Sequence, residues 1–274
     1  MKRFILLAAL MLLVPPTVRA AEPSDEGRPI VIGRSYAIPS RVLGGTRRLN
    51  VYLPPHYGDA TRKFPVLVLL DGGEAEDFHH ITGLAQVTAF NGAVEELIVV
   101  GIEGVDRRHD LTSASSDPQD VKLAPTSGGA AAYRRFLVEE VKPWIAAHYR
   151  VSGRYGLIGE SLAGLFAVET CLRAPRSFDD YIAASPSLWW DKESLSREAA
   201  ADFAKGGFAG RRLWVSVGNE GSTMQEAVDR MVAAAKSADG FELYYDPRPA
   251  ERHDTIYEPT AIAALRTLYA VKAP

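Results

Sequence analysis

One cysteine, Cys171, in 274 residues leaves no partner for an intramolecular disulfide, and its place on the apolar side of a helix-forming run makes it a small core residue. Excess positive charge is also missing. Lys and Arg number 31 against 34 Asp and Glu, a formal charge of -3, so there is no electrostatic case for nucleic acid and no polybasic patch for a membrane surface. Beyond Val14 no apolar run is long enough to span a bilayer, and no linker, repeat or low-complexity tract divides the chain. Histidine is scarce, and only His79 and His80 are adjacent. Neighbours on a helix point in different directions and no third ligand is spaced to join them, so neither a metal nor another cofactor is expected.

What is present begins with a targeting pattern. Lys2-Arg3, the apolar run Phe4 to Val14, Pro15-Pro16 and then Val18-Arg19-Ala20 have the three regions of a secretory signal peptide, with cleavage expected after Ala20. That run is too short to cross a bilayer, and no cysteine follows it to carry a lipid. The expectation is a signal peptide over 1–20 and one soluble, exported domain over 21–274, periplasmic or secreted, without stable membrane insertion.

Ile30 to Ile38 and Arg48 to Leu53 read as antiparallel edge strands, the second alternating Leu49, Val51 and Leu53 with polar neighbours until Pro54-Pro55 stops it. Phe64 to Leu70 and Leu97 to Ile102 are continuous apolar runs, the mark of central strands buried on both faces. A helix from His79 to Asn91 lies between them. A second, Ala130 to His148, places Tyr133, Phe136, Leu137, Val141, Trp144 and Ile145 at amphipathic spacing. Further on, Tyr181 to Ala184, Leu213 to Val217 and Phe241 to Tyr245 read as strands, with helices around 192–204, 223–237 and 259–269. Alternating strands and helices predict an α/β fold, a mainly parallel central sheet with helices on both faces. Functional groups in such sheets gather at the carboxyl ends of the strands.

At one of those ends stands Tyr155-Gly156-Leu157-Ile158-Gly159-Glu160-Ser161-Leu162-Ala163-Gly164, a short apolar strand running through a serine into a helix. A serine on so tight a turn requires small residues two positions before and after it, which Gly159 and Ala163 supply. Ser161 is thus the candidate nucleophile. The helix behind it aims unpaired N–H groups, Leu162 first, at the place where an oxyanion would form. Asp71-Gly72-Gly73, at the end of its own strand, is the natural source of a second backbone donor from Gly72 or Gly73.

A serine hydroxyl is a weak nucleophile unless an imidazole accepts its proton, and the imidazole needs a carboxylate to fix its tautomer. Downstream of Ser161, Gly218-Asn219-Glu220 follows one predicted strand and Glu251-Arg252-His253-Asp254 follows the next. Ser161, Glu220 and His253 therefore occur in nucleophile, acid, base order. Asp191, Asp246 and Asp254 compete with Glu220 for the acid. Trp189 and Trp190 after a strand end offer an aromatic wall for substrate, with core packing as the plain alternative. Arg107 is a candidate substrate contact or a partner for Asp106 or Asp110.

Val51-Tyr52-Leu53-Pro54, Phe64 to Gly72, Val100-Gly101-Ile102-Glu103 leading to Asp106-Arg107-Arg108-His109-Asp110-Leu111-Thr112, the turn at Ser161, Ser185-Pro186-Ser187-Leu188-Trp189-Trp190, Val217 to Glu220 and His253 together resemble the putative-esterase family of α/β-hydrolases. That family includes siderophore trilactone esterases, feruloyl and acetyl esterases, formylglutathione hydrolases and mycolyltransferases. The Ser-Pro-Ser-Leu-Trp-Trp run is most similar to the siderophore-esterase-like branch. Glu160 stands where that branch usually has His, Ala163 replaces the second elbow glycine, Asp254-Thr255 follows the histidine in place of Gly-Ser, and His109 replaces a second arginine. The resemblance implies the α/β-hydrolase fold and a serine esterase acting on a small-molecule carboxylic ester through an acyl-enzyme, and the N-terminal pattern adds the expectation of export. Two alternatives share the scaffold. An acyltransferase would use the same triad with an alcohol acceptor, and a non-catalytic binding module would not need the triad that the chain carries.

Overall fold

A computed structural model describes residues 27–271, so the expected signal peptide over 1–20 lies outside the described residues. Eight strands form one sheet in the order β1-β2-β4-β3-β5-β6-β7-β8. They are β1 (Arg34–Pro39), β2 (Thr46–Tyr52), β3 (Phe64–Leu69), β4 (Ile98–Ile102), β5 (Val151–Glu160), β6 (Asp180–Ala184), β7 (Arg212–Val217) and β8 (Glu242–Pro247). The two pairs that involve β2 are antiparallel, as the alternating pattern of the early chain predicts. From β4 across to β8 every pair is parallel. The first strand is shorter than expected, because its ladder with β2 begins at Arg34 opposite Val51 and β2 ends one residue later at Tyr52.

The apolar runs of β3 and β4 are buried along their whole length. On one face of the sheet, Leu67, Leu69, Val99, Ile158 and Ile182 pack under α1 (Phe78–Phe90) and α9 (Tyr257–Leu268). On the other, Val66, Val68, Val100, Leu157 and Val215 meet the remaining long helices, among them α6 (Leu162–Arg173), α7 (Trp190–Ala204) and α8 (Ser222–Ala235). Cys171, on α6, is fully buried in that layer.

Two polar helices between β4 and the next long helix escape a periodicity search: α2 (Arg107–Leu111) and α3 (Pro118–Leu123), each capped by an aspartate side chain, Asp106 and Asp117. The helix expected over 130–148 runs as α4 (Ala130–Phe136), a π-helical stretch (Leu137–Val141) and α5 (Lys142–His148). Pro143 explains the wide turn, since it lacks an N–H and crowds the carbonyl one turn before it. In α7 the right-handed helix starts only after Asp191, Lys192 and Glu193, whose φ values of 48°, 55° and 63° form a left-handed turn. Side chains hold it in place. Asp191 accepts from Ser116 N at 2.7 Å and Ser116 Oγ at 2.9 Å, while its own N–H donates to Asp120.

Candidate active site

Parallel register brings four successive strand ends into one row. Glu160 closes β5 beside Ala184 at the end of β6, and β7 and β8 end together at Val217 and Pro247. Ser161 follows β5, Ser185 follows β6, Glu220 follows β7 and His253 lies in the loop after β8. Because β6 separates β5 from β7, the serine and the acid reach the histidine from opposite sides.

Ser161 sits at φ 58°, ψ -119°, a conformation that L-residues avoid outside forced turns. The turn is closed by Ser161 N donating to Ala184 O and Ser187 N donating to Ser161 O, both at 3.0 Å. A Cβ on Gly159 would lie 2.5 Å from that of Ala163, which is why the two flanking positions must be small. Leu162 is the first residue of α6, where backbone N–H groups have no partner inside the helix.

The Glu220 carboxylate lies 2.6 Å from His253 Nδ1. It also accepts from Ser185 Oγ at 2.6 Å and from Gly218 N at 3.2 Å. Burial pushes the Glu220 pKa up, but the hydrogen bonds from His253 and Ser185 outweigh it and the net shift is downward. The same bond to Glu220 raises the His253 pKa against the opposing effect of burial. Each rival acid is engaged elsewhere: Asp191 with the serines before α3, Asp246 with Arg248, and Asp254 with Arg252.

Ser161 and His253 line one cleft of about 600 Å³, together with Ser187, Trp189, Glu220 and Met224. Among the described residues, Ser161 Oγ hydrogen-bonds Ser187 Oγ at 3.3 Å and not the His253 ring. Ser185 and Ser187 belong to the Ser-Pro-Ser-Leu-Trp-Trp run, which by itself assigns them no place in the site. The signal that could have found them is the strand order, since Ser185 directly after the central β6 and Ser187 two residues on must lie between the ends of β5 and β7.

Other candidates move. Gly72 is not a free donor, because its N–H bonds Ile102 O at 2.9 Å. It is glycine for packing, since a Cβ there would lie 2.3 Å from Gly101 Cα. Gly73 N donates to the Glu76 carboxylate at 2.6 Å, while Glu76 N donates back to Gly73 O. Arg107 pairs with neither Asp106 nor Asp110: its Nε donates to Asp71 at 2.7 Å and its Nη2 to Glu160 O at 3.3 Å. It therefore pins the loop after β3 to the end of β5. Trp190 is core, 4% exposed, with Nε1 donating to Ser113 O. Trp189 alone of the pair lines the cleft.

Burial raises the Glu160 pKa to about 7, with Asp77 and Glu220 adding to it and His253 and Arg107 opposing it. Among the described residues, no group of three or more His, Cys, Asp or Glu side chains could hold a metal. None of the described helices is long and apolar enough to cross a membrane.

The chain is similar to several known esterases. A siderophore enterobactin esterase of Emericella nidulans is 45% identical over 75 residues, 26% of this chain and 25% of that protein. Ferri-bacillibactin esterase BesA of Bacillus subtilis is 31% identical over 151 residues, 49% of this chain and 52% of that one. The matches thus span about half of these relatives or less. An IroE-like serine hydrolase from Shewanella oneidensis superposes with a TM-score of 0.78 at 26% identity, covering 88% of this chain and 82% of that one. The siderophore hydrolase EstB from Aspergillus nidulans shares the fold at a TM-score of 0.76 and 21% identity, covering 90% and 98%. The family model described as putative esterase matches residues 40–261, and the chain belongs to that family, on its siderophore-esterase-like branch.

Proposed function

We propose that this chain is an exported serine esterase that hydrolyses a carboxylic ester of the siderophore class through an acyl-enzyme. The observation that carries the reading is the 2.6 Å contact of Glu220 with His253 Nδ1 in a cleft shared with Ser161. Ser161 Oγ leaves Ser187 by a turn about its side-chain bond and attacks the ester carbonyl. His253 Nε2 takes the hydroxyl proton and returns it to the departing alcohol, while Glu220 stabilises the imidazolium. Water then attacks the acyl-enzyme by the same route. The oxyanion is met by Leu162 N–H at the start of α6. Gly73 N–H joins it when Glu76, an exposed side chain, swings away. The substrate class comes from the relatives, and export from the N-terminal sequence.

Hydrolysis of simple esters and of siderophore esters by the purified protein tests this reading, with Ser161→Ala as the control. Wild type should release acid and alcohol, and the variant should be slower by about three powers of ten or more. A wild-type protein that cleaves no ester, or a variant as fast as wild type, defeats it.

A further inference from the structure

Ser185 is fully buried, directly beyond β6, with its N–H donating to Ser216 O at 2.9 Å. Its Oγ lies 2.6 Å from each Glu220 oxygen and 2.9 Å from His253 Nδ1. Its backbone is at φ 43°, where a glycine would sit without strain and a serine does not. A strained position that keeps a hydroxyl needs a reason.

Proton counting supplies one. An ionised carboxylate only accepts, and a hydroxyl has one proton and two lone pairs. The Ser185 proton therefore goes to Glu220, and a Ser185 lone pair faces His253 Nδ1. If Nδ1 lacked its proton, it would confront lone pairs from both Ser185 and Glu220. With the proton on Nδ1, all three groups are satisfied at once, and the free lone pair of the ring is on Nε2.

We propose that Ser185 is a positioning residue that holds Glu220 in place and fixes the Nδ1–H form of His253, leaving Nε2 to act as the base. The inference rests on the triad of the proposed function. Ser185 touches no reacting atom. Its effect passes through Glu220 and the ring, so it should appear in turnover and not in substrate affinity.

Two variants separate this role from plain stability. Ser185→Ala removes the hydroxyl and keeps the backbone strain, whereas Ser185→Gly removes both, so their melting temperatures should differ, with Gly the higher. Both should lose about ten- to a hundredfold in kcat at unchanged KM, the scale of one hydrogen bond to a charged group. Adding Ser185→Ala to Glu220→Gln should produce little further loss, because the partner through which it acts is already impaired. The proposal is overturned if kcat follows melting temperature across the two variants, if either keeps wild-type kcat, or if the double variant shows the full product of the two losses. Retained activity in Ser161→Ala would instead overturn the triad itself.

Discussion

His253 can accept a proton only when neutral, and its neighbours decide at which pH that happens. The bond to Glu220 raises its pKa, and the charge of Glu160 adds to the rise. Activity should therefore fall as pH drops through a value above that of an ordinary histidine. Glu160 itself titrates at about 7, so the two groups share that limb of the profile. Removing the carboxylate charge in Glu160→Gln favours the neutral ring, and the acidic limb of kcat/KM should move to lower pH. A limb that stays in place or moves upward would show that Glu160 does not act on the base. At this scale the sequence was most readable where chemistry and sterics coincide. Gly159 and Ala163 could be assigned from spacing because one extra methyl would collide across the turn. Arg107 could not, since its partner Asp71 is 36 residues away and nearer aspartates looked equally good.

Among the elements, continuous apolar runs identified β3 and β4, and alternation identified β2. The left-handed turn at the start of α7 was invisible, because Asp191, Lys192 and Glu193 include no glycine and look like the charged first turn of an ordinary helix. It is held mainly by distant partners, Ser116 on Asp191 and Arg230 of α8 on Glu193, with Arg197 one helical turn on also reaching Glu193. Lys192 is exposed and stands in that turn at φ 55°. Lys192→Gly should therefore raise stability in urea denaturation by about 1 kcal/mol, the scale of left-handed strain in a residue with a Cβ. Turnover should not change. A loss of stability would mean that the lysine side chain contributes more than its backbone strain removes.

In the described molecule, the amino ends of β5, β6 and β7 lie opposite the site and are tied by charge. Asp180, fully buried at the start of β6, receives Arg154 from β5 at 2.8 Å and Arg212 from β7 at 2.6 Å. Removing it leaves two arginines without their carboxylate, so Asp180→Ala should lower unfolding free energy by about 3 kcal/mol. Activity per folded molecule should survive, because the site lies at the opposite ends of the same strands. Loss of turnover without loss of stability would contradict that separation. The sheet order that produces it was only partly legible: parallel α/β character followed from alternation, but the placement of β6 between the strands that lead to Ser161 and Glu220 depends on pairings that no local pattern records.

The proposed function depends on Ser161 as the nucleophile, activated by His253. Treating the protein with a fluorophosphonate and mapping the adduct by peptide mass spectrometry tests it most directly. One adduct is expected, on Ser161, lost in Ser161→Ala and strongly slowed in His253→Ala. An adduct on Ser185 or Ser187, or labelling of Ser161→Ala at the wild-type rate, would contradict it.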